Sequence, residues 1–136
     1  MQLVFHHLGV ACRNVATELA AYAALGYQQE GALFEDSAQG ISGVFVSGPG
    51  PRLELLTQLG EARELSPWLA RGVKMYHIAF EVTDLDAAVS NFRELGNRVS
   101  RPPLPAVAFE GRRVCFVTLR NLALIELIEA RAATSG

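Results

Sequence analysis

The strongest constraint on this chain is that it writes one phrase twice. FHHLGVACRN occupies residues 5–14 and MYHIAFEVTD occupies residues 75–84, each with a histidine in an alternating apolar run that ends at a helix-starting polar residue. Under a shift of 70, Phe5-His6-His7-Leu8 falls on Met75-Tyr76-His77-Ile78, and Tyr22-Ala23-Ala24-Leu25-Gly26 falls on Phe92-Arg93-Glu94-Leu95-Gly96. A slip of one brings QGISGVFV (39–46) onto EGRRVCFV (110–117). A further slip brings LELL (53–56) onto IELI (125–128). Slips of this size are what loops of unequal length produce, so the pattern is an internal duplication. Each half is too short to bury an independent core. The expectation is one domain over residues 1–136, with module one at about 1–64, a linker at about 65–72 and module two at about 73–131.

Both halves read as the same string of elements. Leu3–Cys12 has the β-branched and aromatic content of a strand, with His7 on the face of Phe5 and Gly9. Asn14 suits an N-cap and Gly26 a helix stop, and between them Val15, Leu19, Tyr22 and Ala23 share one helical face. Strands follow near Gly31–Glu35, Ile41–Ser47 and Arg52–Leu59, and LSPWLARG reads as a short helical connection. The second half repeats this order: a strand over Val73–Val82, then a helix with Leu85, Ala88, Val89, Phe92 and Leu95 on one face. Strands near Arg98–Arg101, Arg112–Arg120 and Leu122–Ala130 complete it. The fold class is α+β, two tandem βαβββ modules, and RPPLPAVAFEG (101–111) is expected to be a loop covering a cleft that the modules share.

Composition excludes more than it selects. A net charge of −2 without a basic run gives no electrostatic case for nucleic acid or an anionic membrane surface. No apolar stretch approaches the roughly 20 residues of a spanning helix, and the N-terminal residues carry no secretory pattern. A cytoplasmic location is therefore expected, with Cys12 and Cys115 as isolated buried thiols.

Four residues carry the chemistry. A glutamate between leucines or isoleucines (Leu53-Glu54-Leu55, Ile125-Glu126-Leu127) can simply face solvent, and a lone strand histidine is most often a core residue. Here His7, Glu54, His77 and Glu126 lie at matched places, on the first and last strands of both copies. If the halves pair about a pseudo-twofold axis, the four can converge. Two imidazoles and two carboxylates suit one divalent ion, with Zn, Ni, Co, Mn and Fe all admissible.

Over nearly its whole length the chain resembles the vicinal oxygen chelate superfamily, which contains glyoxalase I, methylmalonyl-CoA epimerase and extradiol dioxygenases. HHLGVAC is similar to the family's first metal strand and LELLTQLG to its second ligand strand. SPWLARGVKMYHIAFEVTDLDAAV resembles the linker and third ligand strand, and LALIELIEA the last. The wording is most similar to the methylmalonyl-CoA epimerase-like branch. The resemblance implies His7, Glu54, His77 and Glu126 as metal ligands, a small-molecule substrate and a homodimer. It also points to Glu126 as the catalytic base, with Glu54 the other candidate. The implied activity is that of a metal-dependent lyase or isomerase abstracting a proton next to a carbonyl. The alternative is a bleomycin-resistance-like protein that sequesters a ligand without catalysis.

One departure stands out. The epimerases carry a second active-site glutamate shortly after a Gln-Gly pair. Gln39-Gly40 is present, but the glutamate's place holds Gly43, where glycine is expected to leave open space. Glu35 or Asp36 would have to reach in to replace it. Phe45, Phe109 and Trp68 are candidates to line a cavity. Arg113, with Arg112, is a candidate to meet an anionic substrate tail. His6 faces away from the ligand candidates by alternation and is read as structural.

Overall fold

The computed structural model describes residues 2–131. Along the chain come β1 (Val4–Ala11), α1 (Val15–Ala23), β2 (Gln28–Asp36), β3 (Ile41–Ser47), β4 (Leu53–Gln58) and α2 (Ser66–Arg71). Then follow β5 (Met75–Val82), α3 (Leu85–Glu94), β6 (Arg98–Pro105), a 3-10 turn at Val107–Phe109, β7 (Arg113–Thr118) and β8 (Leu124–Glu129). The βαβββ string occurs twice, with α2 between the copies. Two compact units divide the chain. One is His7–His77, and the other joins the residues up to His6 to those from Ile78 onward.

In the first copy the strand order is β2-β3-β4-β1, and in the second it is β6-β7-β8-β5. The first and last strands of each copy are therefore neighbours, and they run parallel: β1 with β4 and β5 with β8. The remaining pairs are antiparallel. A parallel return needs a crossover, and in each copy the helix belongs to that crossover and covers one face. Val10, Val44, Val46, Leu53 and Leu55 pack there with Val15, Leu19 and Tyr22 of α1. Cys115, Val117, Ile125 and Leu127 pack with Leu85, Ala88, Val89 and Phe92 of α3.

Local signals explain the helix ends. The Asn14 side chain accepts a hydrogen bond from the Thr17 amide at 2.9 Å, and Asp84 does the same for Ala87 at 3.0 Å. Each satisfies an amide that the first helical turn leaves without a carbonyl. Gly26 (φ 101°) and Gly96 (φ 87°) take the left-handed turn that returns the chain to a strand. Ala23 and Leu95 differ from expectation, since both are exposed. Leu95 lies past the last turn of α3, where the helical periodicity no longer holds it to the core.

The first five residues of the segment expected to be a loop, 101–105, are strand, and a 3-10 turn follows at Val107–Phe109. β6 runs through Pro102, Pro103 and Pro105, paired with β7 across two register shifts. Proline donates no hydrogen bond, but β6 is the outer strand of its copy and needs donors on one side only.

Candidate metal centre

Within the His7–His77 unit, one face of the strands packs on α1 and the other carries the polar residues. Register sets Gly9 of β1 opposite Glu54 on one side and Phe45 of β3 opposite Glu54 on the other. His7 lies two residues before Gly9, on the same face. His77 joins them from the start of β5, where the Ala11 amide donates to the Lys74 carbonyl at 2.8 Å. His7, Glu54 and His77 are 0 %, 3 % and 4 % exposed.

Their ligand atoms point at one another. His7 Nε2 is 3.0 Å from Glu54 Oε1 and 3.2 Å from His77 Nε2, and His77 Nε2 is 3.7 Å from Glu54 Oε1. With bonds of about 2.1 Å, neighbouring ligand atoms stand about 3.0 Å apart in an octahedral shell and about 3.4 Å apart in a tetrahedral one. The observed triangle brackets both values, so it has the size of one face of such a shell. Two neutral imidazole lone pairs and a carboxylate oxygen, brought together out of water, repel unless a proton or a cation lies among them. This donor set fits a divalent ion.

The second unit holds Glu126 in a matching frame. It is 3 % exposed on β8, opposite Ala79 of β5 and Phe116 of β7. Ile125 and Leu127 on either side of it face the α3 core. Glu54 between Gly9 and Phe45, and Glu126 between Ala79 and Phe116, are thus repeat-equivalent positions.

The other candidates are distributed as follows. Phe45 stands edge-on to His7 at 5.3 Å between ring centres, with Phe34 beside it at 6.1 Å. Trp68 packs on Tyr76 at 5.5 Å, beside the Leu56 and Leu65 core. Phe109 is buried in the 3-10 turn, edge-on to His6 at 5.4 Å and beneath the Arg112 guanidinium. His6 also approaches Glu81 at 3.7 Å. Arg113 shares a strand face with Cys115 and Val117, opposite to that of Phe116. Its guanidinium donates to Glu129 at 2.6 Å and to Asp86 at 3.0 Å. Those partners raise the Arg113 pKa, and the Arg113 guanidinium in turn holds the Glu129 carboxyl below its ordinary range.

Position 43 corrects an expectation, because no space lies over the glycine. A β-carbon there would fall 2.5 Å from the Leu55 carbonyl oxygen, 2.7 Å from Leu56 Cδ2 and 3.2 Å from Phe34 Cζ. The two acidic substitutes are also engaged elsewhere. Glu35 pairs with Ser42, which sets it on the face away from Phe34 and Gly43. Asp36 is buried, and its carboxylate accepts from the Gln39 amide at 3.2 Å and from Gln39 Nε2 at 2.9 Å.

Two residues beside the carboxylates escape a reading based on chemistry alone. Phe116 is the repeat partner of Phe45, and the signal for it is the match of VFV with CFV. Gly9 carries no side chain, and only the packing around it marks it out.

Fold and donor set together define a class. The family model described as Glyoxalase/Bleomycin resistance protein/Dioxygenase superfamily matches residues 6–116, and the chain belongs to that superfamily. Among its relatives is the ethylmalonyl-CoA/methylmalonyl-CoA epimerase of Cereibacter sphaeroides, 28 % identical over 126 residues, which span 90 % of this chain and 94 % of that protein. The crystal structure of Mycobacterium tuberculosis methylmalonyl-CoA epimerase superposes with a TM-score of 0.79 at 25 % identity, covering 95 % of this chain and 89 % of that one. A hypothetical protein from Bacillus halodurans superposes over 100 % of both chains with a TM-score of 0.83 at 20 % identity, a likeness of fold alone. Among the described residues, no helix is long and apolar enough to cross a membrane.

Proposed function

We propose that this chain is a divalent-metal-dependent isomerase or lyase that removes a proton from the carbon next to a carbonyl in a small oxygenated substrate. The observation that carries the reading is the buried triangle of His7, Glu54 and His77 ligand atoms. In this reading Glu126, the repeat partner of Glu54, completes the ligand set, and the two modules form one domain over residues 1–136. Zn, Ni, Co, Mn and Fe all suit two imidazoles and two carboxylates. The epimerase relatives make acyl-CoA thioesters the first substrates to test.

A bound divalent ion would polarise the substrate carbonyl and stabilise the charge that develops on its oxygen. Glu126 supplies the base: a carboxylate oxygen takes the α-proton, and the electron pair left behind moves onto the carbonyl oxygen. Phe45 walls His7 on one side and keeps water from it, and Phe109 is assigned a similar apolar role towards substrate. Arg113 is given no part, because Asp86 and Glu129 already engage its guanidinium.

Because packing closes the place of the second glutamate, proton removal and return use one base on one face. That suits transfer of a proton to a neighbouring atom, or an elimination, better than inversion. Protein purified without an affinity tag should contain about one divalent ion per chain by elemental analysis. Stereochemically pure methylmalonyl-CoA in deuterium oxide should exchange its α-proton without inverting. Glu126→Gln should lower that exchange by about 10²–10⁴-fold. Inversion at the rate of an epimerase would overturn the one-base reading, and absence of both metal and exchange would overturn the whole.

A further inference from the structure

We propose that Gly9 is a positioning residue for the His77 imidazole: the histidine lies in the space that any β-carbon at position 9 would occupy. A β-carbon built on Gly9 would lie far inside van der Waals contact of His77 Cε1, Nδ1 and Nε2, and these are its three nearest atoms. Gly9 does not take a positive φ, so the backbone of β1 would accept another residue. Glycine inside a strand weakens it and often marks a close approach of another group. Here that group is a ligand side chain of the centre proposed above.

The ring has nowhere to retreat. His77 is 4 % exposed, its Nε2 stands 3.2 Å from His7 Nε2, and Tyr76 lies edge-on to it at 4.5 Å, backed by Trp68. The repeat shows that the requirement is local to this half. The matching position in the second copy is Ala79, fully buried and paired with Glu126 as Gly9 is paired with Glu54. Copying that alanine into the first half is therefore a one-methyl test.

The proposal rests on the metal reading for its affinity arm only. Chelator-treated wild type, Gly9→Ala, His77→Ala and the double variant are melted without metal, and each is then titrated with Zn²⁺ by calorimetry. Gly9→Ala should lower Tm beside His77 and leave it unchanged or raised in the His77→Ala background, where the methyl fills the vacated space. Zn²⁺ affinity should fall by about 10–100-fold in Gly9→Ala, the usual cost of disturbing a group that orients a ligand. An equal loss of Tm in both backgrounds would overturn the proposal, as would a wild-type Zn²⁺ affinity in Gly9→Ala. If Gly9→Ala does not fold, folding of the double variant supports the assignment and its failure to fold overturns it. Wild type that binds no Zn²⁺ would remove the metal reading, and the metal-free melting cycle would still decide the packing claim.

Discussion

At position 43 a missing side chain is a packing requirement. The Leu55 carbonyl belongs to the paired backbone of β4 and cannot swing aside, so even a methyl group displaces the sheet. Gly43→Ala should cost about 1–3 kcal/mol in urea denaturation, the usual range for overfilling a packed interior. Gly43→Glu should destabilise further and should not raise inversion of methylmalonyl-CoA. The thiols give a second expectation at this scale. Burial pushes the Cys12 pKa up to about 11 and the Cys115 pKa up to about 12, from an ordinary 9.0. A folded state that holds protons longer than the unfolded chain is fully stabilised below pH 9 and loses that stability as pH rises through the folded values. Melting temperature should therefore decline above pH 9, and both thiols should resist a thiol-specific reagent at pH 8 until the protein unfolds.

The helices rest on single side chains at their starts, and residue type alone makes those positions legible. Asn14 and Asp84 are exposed, cap their helices through one hydrogen bond each, and contribute little else. Asn14→Ala and Asp84→Ala should each lower stability by about 0.5–2 kcal/mol with an unchanged denaturant slope. Strands β1, β3, β4 and β5 lie within two residues of where alternation places them, because alternation reports a face that is buried on one side. β6 is hidden from such a reading for a physical reason: at an outer edge a strand can contain prolines that would exclude it from the middle of a sheet. The site divides in the same way. His7, Glu54 and His77 are legible because polar groups set at matched places inside apolar strands are too costly to bury without partners. Gly9 and the sealing of Gly43 are not legible, since both depend on which atoms from distant strands arrive opposite a bare backbone.

For the molecule as a whole, the duplication explains why the carboxylates and histidines come in pairs at corresponding places. The halves have since diverged at the positions beside those carboxylates, glycine in one and alanine in the other. The family resemblance implies a homodimer; if one forms, sedimentation at micromolar concentration should give twice the 14.7 kDa chain mass. A strict monomer would remove that part alone. Saturation with the bound ion should stabilise the folded state by about 2.7 kcal/mol at a hundredfold excess over Kd, read as a rise in Tm that a chelator reverses. The proline-bearing strand has one more consequence. An exposed strand edge is a template on which other chains can polymerise, and β6 offers Pro102, Pro103 and Pro105 in place of amide donors. At the other outer strand, β2, the pairing register shifts between Glu30 and Phe34. Replacing the three prolines with threonine should leave the fold intact yet shorten the lag before fibrils form in a dye-binding assay, because those rings act as a guard against amyloid-like growth.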